Sequence, residues 1–232
     1  MKSFHENPSV GLMLTFIGGM LDSYTYLRYQ AFASAQTGNL VLAIIQGFDG
    51  QWASVGKKLL STLCFFLGIF LAKYLIDLAN QKKWFFWRLG VLYYEAVIFL
   101  LLTTQFFQPL HTIVIMLIAF TAAIQWISFD KINGLTYTNL FTTGNLKGMA
   151  TNFYDYLKNH DPLAKKGFFH FSSVVTAFIS GVVVAVFCYH LIGYQTTFII
   201  ALCFLALALS QTFFIWKFTR GANLFHKKTG NG

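Results

Sequence analysis

"SAQTGNLVLAII", Ser34 to Ile45, and "LFTTGNLKGMAT", Leu140 to Thr151, share the tetrapeptide Thr-Gly-Asn-Leu. It stands at Thr37–Leu40 and again at Thr143–Leu146, 106 residues later. Thr is a favoured helix N-cap, since its hydroxyl accepts from a free backbone N–H of the first turn. Gly lets another backbone or a ligand come close, and Asn offers a donor and an acceptor on one short side chain. A helix opening here aims unpaired N–H groups and a positive dipole end at whatever lies ahead. In hydrocarbon such groups must be covered by protein or face a watery cavity. What surrounds the two copies therefore decides the fold.

The surroundings are apolar. Of 232 residues, 56% are hydrophobic, 19% aromatic and only 11% charged, against about a quarter charged in soluble domains. Too few charges remain to cover a water-facing surface, and the apolar residues come in long blocks. Spanning a bilayer takes about 20 mostly apolar residues. Six stretches qualify as expected spans: Val10 to Leu27, Leu60 to Asn80, Arg88 to Phe107, Leu110 to Phe129, Phe169 to Ile192 and Thr196 to Lys217. The two tetrapeptides open shorter stretches after the first and fourth. The expected fold is all-α: six transmembrane helices plus two short broken or re-entrant helices, in one integral membrane domain.

Each tetrapeptide follows the first span of a group of three. Three is odd, so the second group enters from the opposite face, which is the pattern of an inverted-topology repeat. The expected halves are residues 1–108 and 109–232, an inverted 3+3 repeat. Beyond the tetrapeptide the register pairs Gly19 with Gln125 and Asp22 with Ser128. The first copy continues as an apolar helix, Val41 to Ile45. The second carries Lys147, Asn152 and Asp155 and reads as interfacial. Either the two helix starts converge from opposite sides on a central site, or they are ordinary capped helices at loop ends.

The net charge of +9 is a matter of topology. With the N-terminus inside, thirteen cations fall on cytoplasmic segments: Lys2, Lys82, Lys83, Arg88, Lys131, Lys147, Lys158, Lys165, Lys166, Lys217, Arg220, Lys227 and Lys228. Only Arg28, Lys57 and Lys58 fall outside, and Lys73 is inside a span. This positive-inside bias predicts two cytoplasmic termini and argues against nucleic acid as a partner. Ala33-Ser34-Ala35 has the look of a cleavage site. However, a lone Lys in the n-region, with Asp22 and Arg28 interrupting the apolar run, favours a retained span. Cys64, Cys188 and Cys203 lie within spans and read as small apolar fillers.

Intramembrane charges are the remaining signal, since each costs about 2.5–3.5 kcal/mol on insertion scales. Glu95, in "VLYYEAVIFLLL", is the deepest and has no basic residue within one helical turn. It either carries a coupled proton or cation, or anchors the bundle by a hydrogen bond. Asp22 follows Gly18 and Gly19, a site for close helix contact, and precedes Thr37 by 15 residues. Lys73 and Asp77 read as an i, i+4 pair. His190 and Trp84-Phe85-Phe86-Trp87 read as interface residues. No metal-ligand spacing, nucleophile elbow, P-loop or dinucleotide fingerprint is present.

Taken together, "GGMLDSYTYL", "ASAQTGNLVLAIIQG", "AAIQWISFD" and "FTTGNLKGMA" resemble the YoaK family of small bacterial membrane proteins, over nearly the whole chain. The resemblance implies a bacterial inner-membrane location and no particular substrate. Ala122-Ala123 stands where that family more often has a Gly in the fourth span.

The expected function is a small secondary transporter or permease of an unidentified solute, not an enzyme, with no cofactor or metal. Substrate binding is expected at Asp22, Thr37, Gly38, Asn39, Gln125, Thr143, Gly144 and Asn145, and coupling at Glu95 and Asp22. The lipid bilayer is the expected partner, with possible proton coupling. The alternative is a non-transporting membrane module that binds lipid or a partner protein.

Overall fold

A computed structural model describes residues 4–229, with side chains through residue 218. Lys2 lies outside the described residues, as do the side chains of Arg220, Lys227 and Lys228. Among the described residues the chain forms eight α-helices: α1 (Pro8–Tyr29), α2 (Gln36–Phe48), α3 (Trp52–Lys82), α4 (Trp87–Leu102), α5 (His111–Ser128), α6 (Thr143–Asn159), α7 (Pro162–Ile192) and α8 (Thr196–Thr229). α3 and α7 begin eight and seven residues before the expected spans. α4 stops at Leu102, and residues 105–107 form a separate 3-10 turn.

One element was not expected. Lys131–Ile132 (β1) pairs antiparallel with Leu135–Thr136 (β2). Asn133 and Gly134 turn the hairpin with φ 49° and 81°, and Asn-Gly is the residue pair that such a turn favours.

Three stretches are long and apolar enough to cross a bilayer: α3, α5, and the run Pro162–Phe218 that α7 and α8 divide between them. Of the six expected spans, α1 and α4 fall outside this criterion. α4 has sixteen residues, short of the ~20 that cross a hydrocarbon core. α1 is enclosed by other helices along much of its length, from Val10 to Tyr29. Thr15, Asp22, Tyr24, Thr25 and Tyr29 therefore meet protein rather than lipid. By contrast, α3, α7 and α8 turn large apolar side chains outward, among them Phe66, Phe70, Val183, Phe187, Leu209 and Phe213. Contiguous exposed apolar surface on this scale suits a lipid environment, not water. The chain is an all-helical membrane protein.

Packing follows a pattern that repeats within the molecule. α1 lies antiparallel on α7, with Gly19 against Phe178 and Gly181 against Phe16. α3 lies antiparallel on α5, with Gly68 against Phe120 and Phe65 against Trp126. A Cβ at Gly181 would overlap the Phe16 carbonyl oxygen, and one at Gly68 the Phe120 carbonyl oxygen. The short helices each fold onto the long helix that follows, α2 on α3 and α6 on α7. α4 and α8 pack on each other, through Phe99 stacked on Phe204 at 5.4 Å and the Tyr93 and Thr212 hydroxyls at 2.8 Å.

Candidate functional site: two loops on one helix

Both tetrapeptide loops lie against α1. The chain leaves α1 at Gln30, in the left-handed region with φ 55°, and doubles back beside it. Phe32 stacks on Tyr26 with ring centroids 4.8 Å apart. The Ala33 N–H donates to Thr25 Oγ1 at 3.0 Å. Ser34 donates to the Asp22 carboxylate twice, through its N–H at 2.8 Å and its hydroxyl at 2.7 Å. The contacts step from 26 to 25 to 22, so α2 opens beside α1 rather than beyond its end.

The second loop reaches α1 from the other direction. Its hairpin docks near the Pro8 end, where the Asn133 N–H donates to the Glu6 carbonyl at 2.9 Å and Ile132 packs over Gly11. The chain then runs along α1 to Gly18, where a Cβ would overlap the Asn139 carbonyl oxygen. Gly18 and Asp22 are four residues apart, on one face and about 6 Å along the axis. Loops 106 residues apart in sequence thus meet α1 within a single helical turn.

The feature that the two loops share is carried by Asn. Asn39 Oδ1 accepts from the Phe32 N–H and its Nδ2 donates to the Phe32 carbonyl, both at 2.8 Å. Asn145 treats Thr138 the same way, at 3.1 and 2.8 Å. A second donation runs to the residue three earlier, Gln36 Oε1 at 2.9 Å or Thr142 Oγ1 at 3.4 Å. Both Asn side chains are buried. Each amide thereby supplies the pairing that a loop backbone needs where water is scarce.

This corrects the capping expectation. Thr37 and Thr143 are not N-caps: Ala35 and Thr142 hold those positions, and neither makes a side-chain cap bond. α2 opens one residue before the tetrapeptide, and Asn, two residues after Thr, performs the polar work. Thr37, Thr143 and Gly144 are exposed and Gly38 is half-buried beside the Phe32 ring. Thr37 and Gly38, with Tyr26, Phe32, Val41 and Leu42, line an open, mainly apolar groove of about 480 Å³.

The remaining expected residues divide. Gln125 and Ser128 are buried on α5. Gln125 Nε2 donates to the Leu14 carbonyl at 3.4 Å, tying α5 to α1, while its Oε1 has no partner. Ser128 Oγ has none either, nor does Oδ1 of Asn139, whose Nδ2 donates to the Phe129 carbonyl at 2.6 Å. Glu95 is fully buried on α4, and both of its carboxyl oxygens lack a hydrogen-bond partner. Beside it, the Tyr94 hydroxyl reaches Thr121 Oγ1 at 3.3 Å. Asp22 holds the loop that leads into the first tetrapeptide, and Gly18 meets the loop that leads into the second; Glu95 has no hydrogen bond to either among the described residues. The sequence reading did not pick out Ser34, Thr25 and Asn139. Ser34 and Thr25 did carry a signal: polar residues close to Asp22 in a stretch that must fold back.

Residues 10–210 match the family model described as Protein of unknown function (DUF1275), and the chain belongs to that family. No curated protein and no solved structure matches it.

Proposed function

We propose that this DUF1275 protein is a small secondary transporter that works by alternating access, without an enzymatic step or cofactor. In this reading α1, α3, α4, α5, α7 and α8 are six spans, α2 and α6 are re-entrant half-helices, and residues 1–108 and 109–232 are inverted repeats. The chain sits in a bacterial inner membrane with both termini in the cytoplasm, the side that the cation bias selects.

One observation carries the reading: two interrupted segments converge on the Gly18–Asp22 turn of α1. Transporters with inverted repeats place their sites where broken helices meet. The packing supports the repeat, because exchanging α1 with α5, α2 with α6, α3 with α7 and α4 with α8 turns its main helix pairs into one another. Solute would contact the loop ends at Thr37–Asn39 and Thr143–Asn145, with Asp22 and Gln125 beside them. Asp22 holds the first loop through Ser34, so a proton on its carboxyl weakens that hold. Glu95, buried without a partner, is the second proton-carrying group.

Proteoliposomes on a solid-supported membrane test this when pulsed with a panel of small anions, amino acids, amines and sugars under a proton gradient. A solute-specific current that Glu95→Gln abolishes is expected. If every solute gives only the current of protein-free liposomes, the transporter reading fails. Single cysteines replacing Phe48 and Asn159, at the far ends of α2 and α6, should label from opposite sides.

A further inference from the structure

The three cations outside the cytoplasmic majority gather at the Tyr29 end of α1, and none meets an acid. Tyr29 is the hub. Its ring packs edge-on to His111 at 5.4 Å, its hydroxyl lies 3.4 Å from that of Tyr24, and its carbonyl accepts from Lys57 Nζ. Arg28, the preceding residue, donates from Nη2 to Gln108 Oε1 at a long 3.5 Å, while its Nε–H is enclosed without a partner. Lys58, the next residue on α3, is fully buried. Its ammonium donates only to neutral oxygens, Gln46 Oε1 at 2.6 Å and Ser54 Oγ at 3.0 Å. Among the described residues, no ion pair joins Arg28, Lys57 or Lys58 to a carboxylate.

Charges out of water are ordinarily paired. Part of the compensation here is dipolar, since Lys57 and Lys58 meet the C-terminal ends of α1 and α2. That leaves the charge of the Arg28 guanidinium, which meets only the neutral Gln108 and Tyr29 side chains, and the other two Lys57 protons. Both side chains are half-exposed and His111 is exposed, so the cluster is open to a ligand. Phe48 and Trp52, 92% and 71% exposed, flank it on the α2–α3 turn and mark an interfacial depth.

We propose that Arg28, Lys57 and His111 form a binding site for a phosphate-type oxyanion at this end of the bundle, with Lys58 supplying charge behind it. A guanidinium and an ammonium together match the several acceptors of a phosphate group. A lipid phosphodiester and free phosphate share this chemistry. The site is independent of the tetrapeptide loops and of transport.

The full chain in neutral detergent distinguishes them. Thermal unfolding, read by tryptophan fluorescence, is followed against inorganic phosphate at fixed ionic strength, and against micelles doped with phosphatidylglycerol or with phosphatidylcholine. A saturable rise in Tm with phosphate assigns a free anion, and one with phosphatidylglycerol but not phosphate assigns a lipid headgroup. In either case Arg28→Gln/Lys57→Gln should weaken the response ~10-fold or more, as expected for losing charged hydrogen bonds, while Lys57→Arg keeps it. The wild-type titration stands alone should the double variant not fold. No saturable response to either probe overturns the proposal, as does a response that the double substitution leaves unchanged.

Discussion

The two tetrapeptide loops share a frame and differ in what clasps them. Asn39 and Asn145 bracket the residue seven positions earlier in the same geometry. At the point of contact with α1, the first loop is held by a carboxylate, Asp22 on Ser34. The second is held by shape, with Asn139 and Leu140 against the bare backbone of Gly18. Asp22 corresponds in register to Ser128, whose hydroxyl has no partner. Polar demand is met in the first clasp, whereas Ser128, Gln125 and Asn139 leave oxygens unmatched around the second. The first clasp is charged and fully bonded, whereas the second is neutral and leaves hydrogen-bonding capacity unused.

If the frame is truly shared, Asn39→Ala and Asn145→Ala should cost the same. Each strands a backbone N–H and a carbonyl, at about 1–3 kcal/mol per buried group. These should be the largest losses in unfolding free energy, measured by denaturation in detergent, and a large inequality breaks the comparison. Next come Gly68→Ala and Gly181→Ala, which force a methyl onto a facing carbonyl. Each should cost about 1–3 kcal/mol by overpacking, again alike in the two helix pairs. The clasps should then part company: Asp22→Ala removes both acceptors of Ser34 and costs about 1–3 kcal/mol, while Ser128→Ala is near neutral because its hydroxyl has nothing to lose. Equal effects there would erase the asymmetry.

The smallest effect concerns the turn against which the second loop's hairpin docks. Burial, and then the charge of Arg88, lower the His5 pKa from 6.5 to about 4. An undocked turn takes up its proton near 6.5. The docked turn binds fewer protons between those values, so its docking is complete above pH 6.5 and weakens as pH falls toward 4. The His5 ring resonances should titrate with a midpoint near 4, and protease access to the first residues should rise across that window.

Much of this was legible from residue types alone. A Thr-Gly-Asn-Leu pair after two apolar stretches announced two further helix starts, and Asp22 and Glu95 stood out because a charge in hydrocarbon demands a reason. The misreadings share one cause, which is that the deciding partner lies elsewhere in the chain. Thr37 has the right chemistry for a cap, yet the helix opens one residue earlier and Asn39 takes the polar role through Phe32. Gly68 and Gly181 gave no local hint of Phe120 and Phe16 across the helix pair. How far α1 is enclosed by other helices, and that α4 stops after sixteen residues, is likewise set by packing and not by apolar content. The Asn133-Gly134 hairpin was written plainly in the sequence and passed over amid longer apolar blocks. Arg28, Lys57 and Lys58 entered only as a topological count, and their convergence on Tyr29 is a matter of tertiary packing.

The Asn bracket has a mechanical consequence. By fastening residue 32 to residue 39, and 138 to 145, it closes each loop and the first turn after it into a stiff tip that resists bending. The opposite end of each short helix has no such bracket, and there the chain turns through the left-handed region instead, at Gly50 after α2 and His160 after α6, where φ is 73° and 52°.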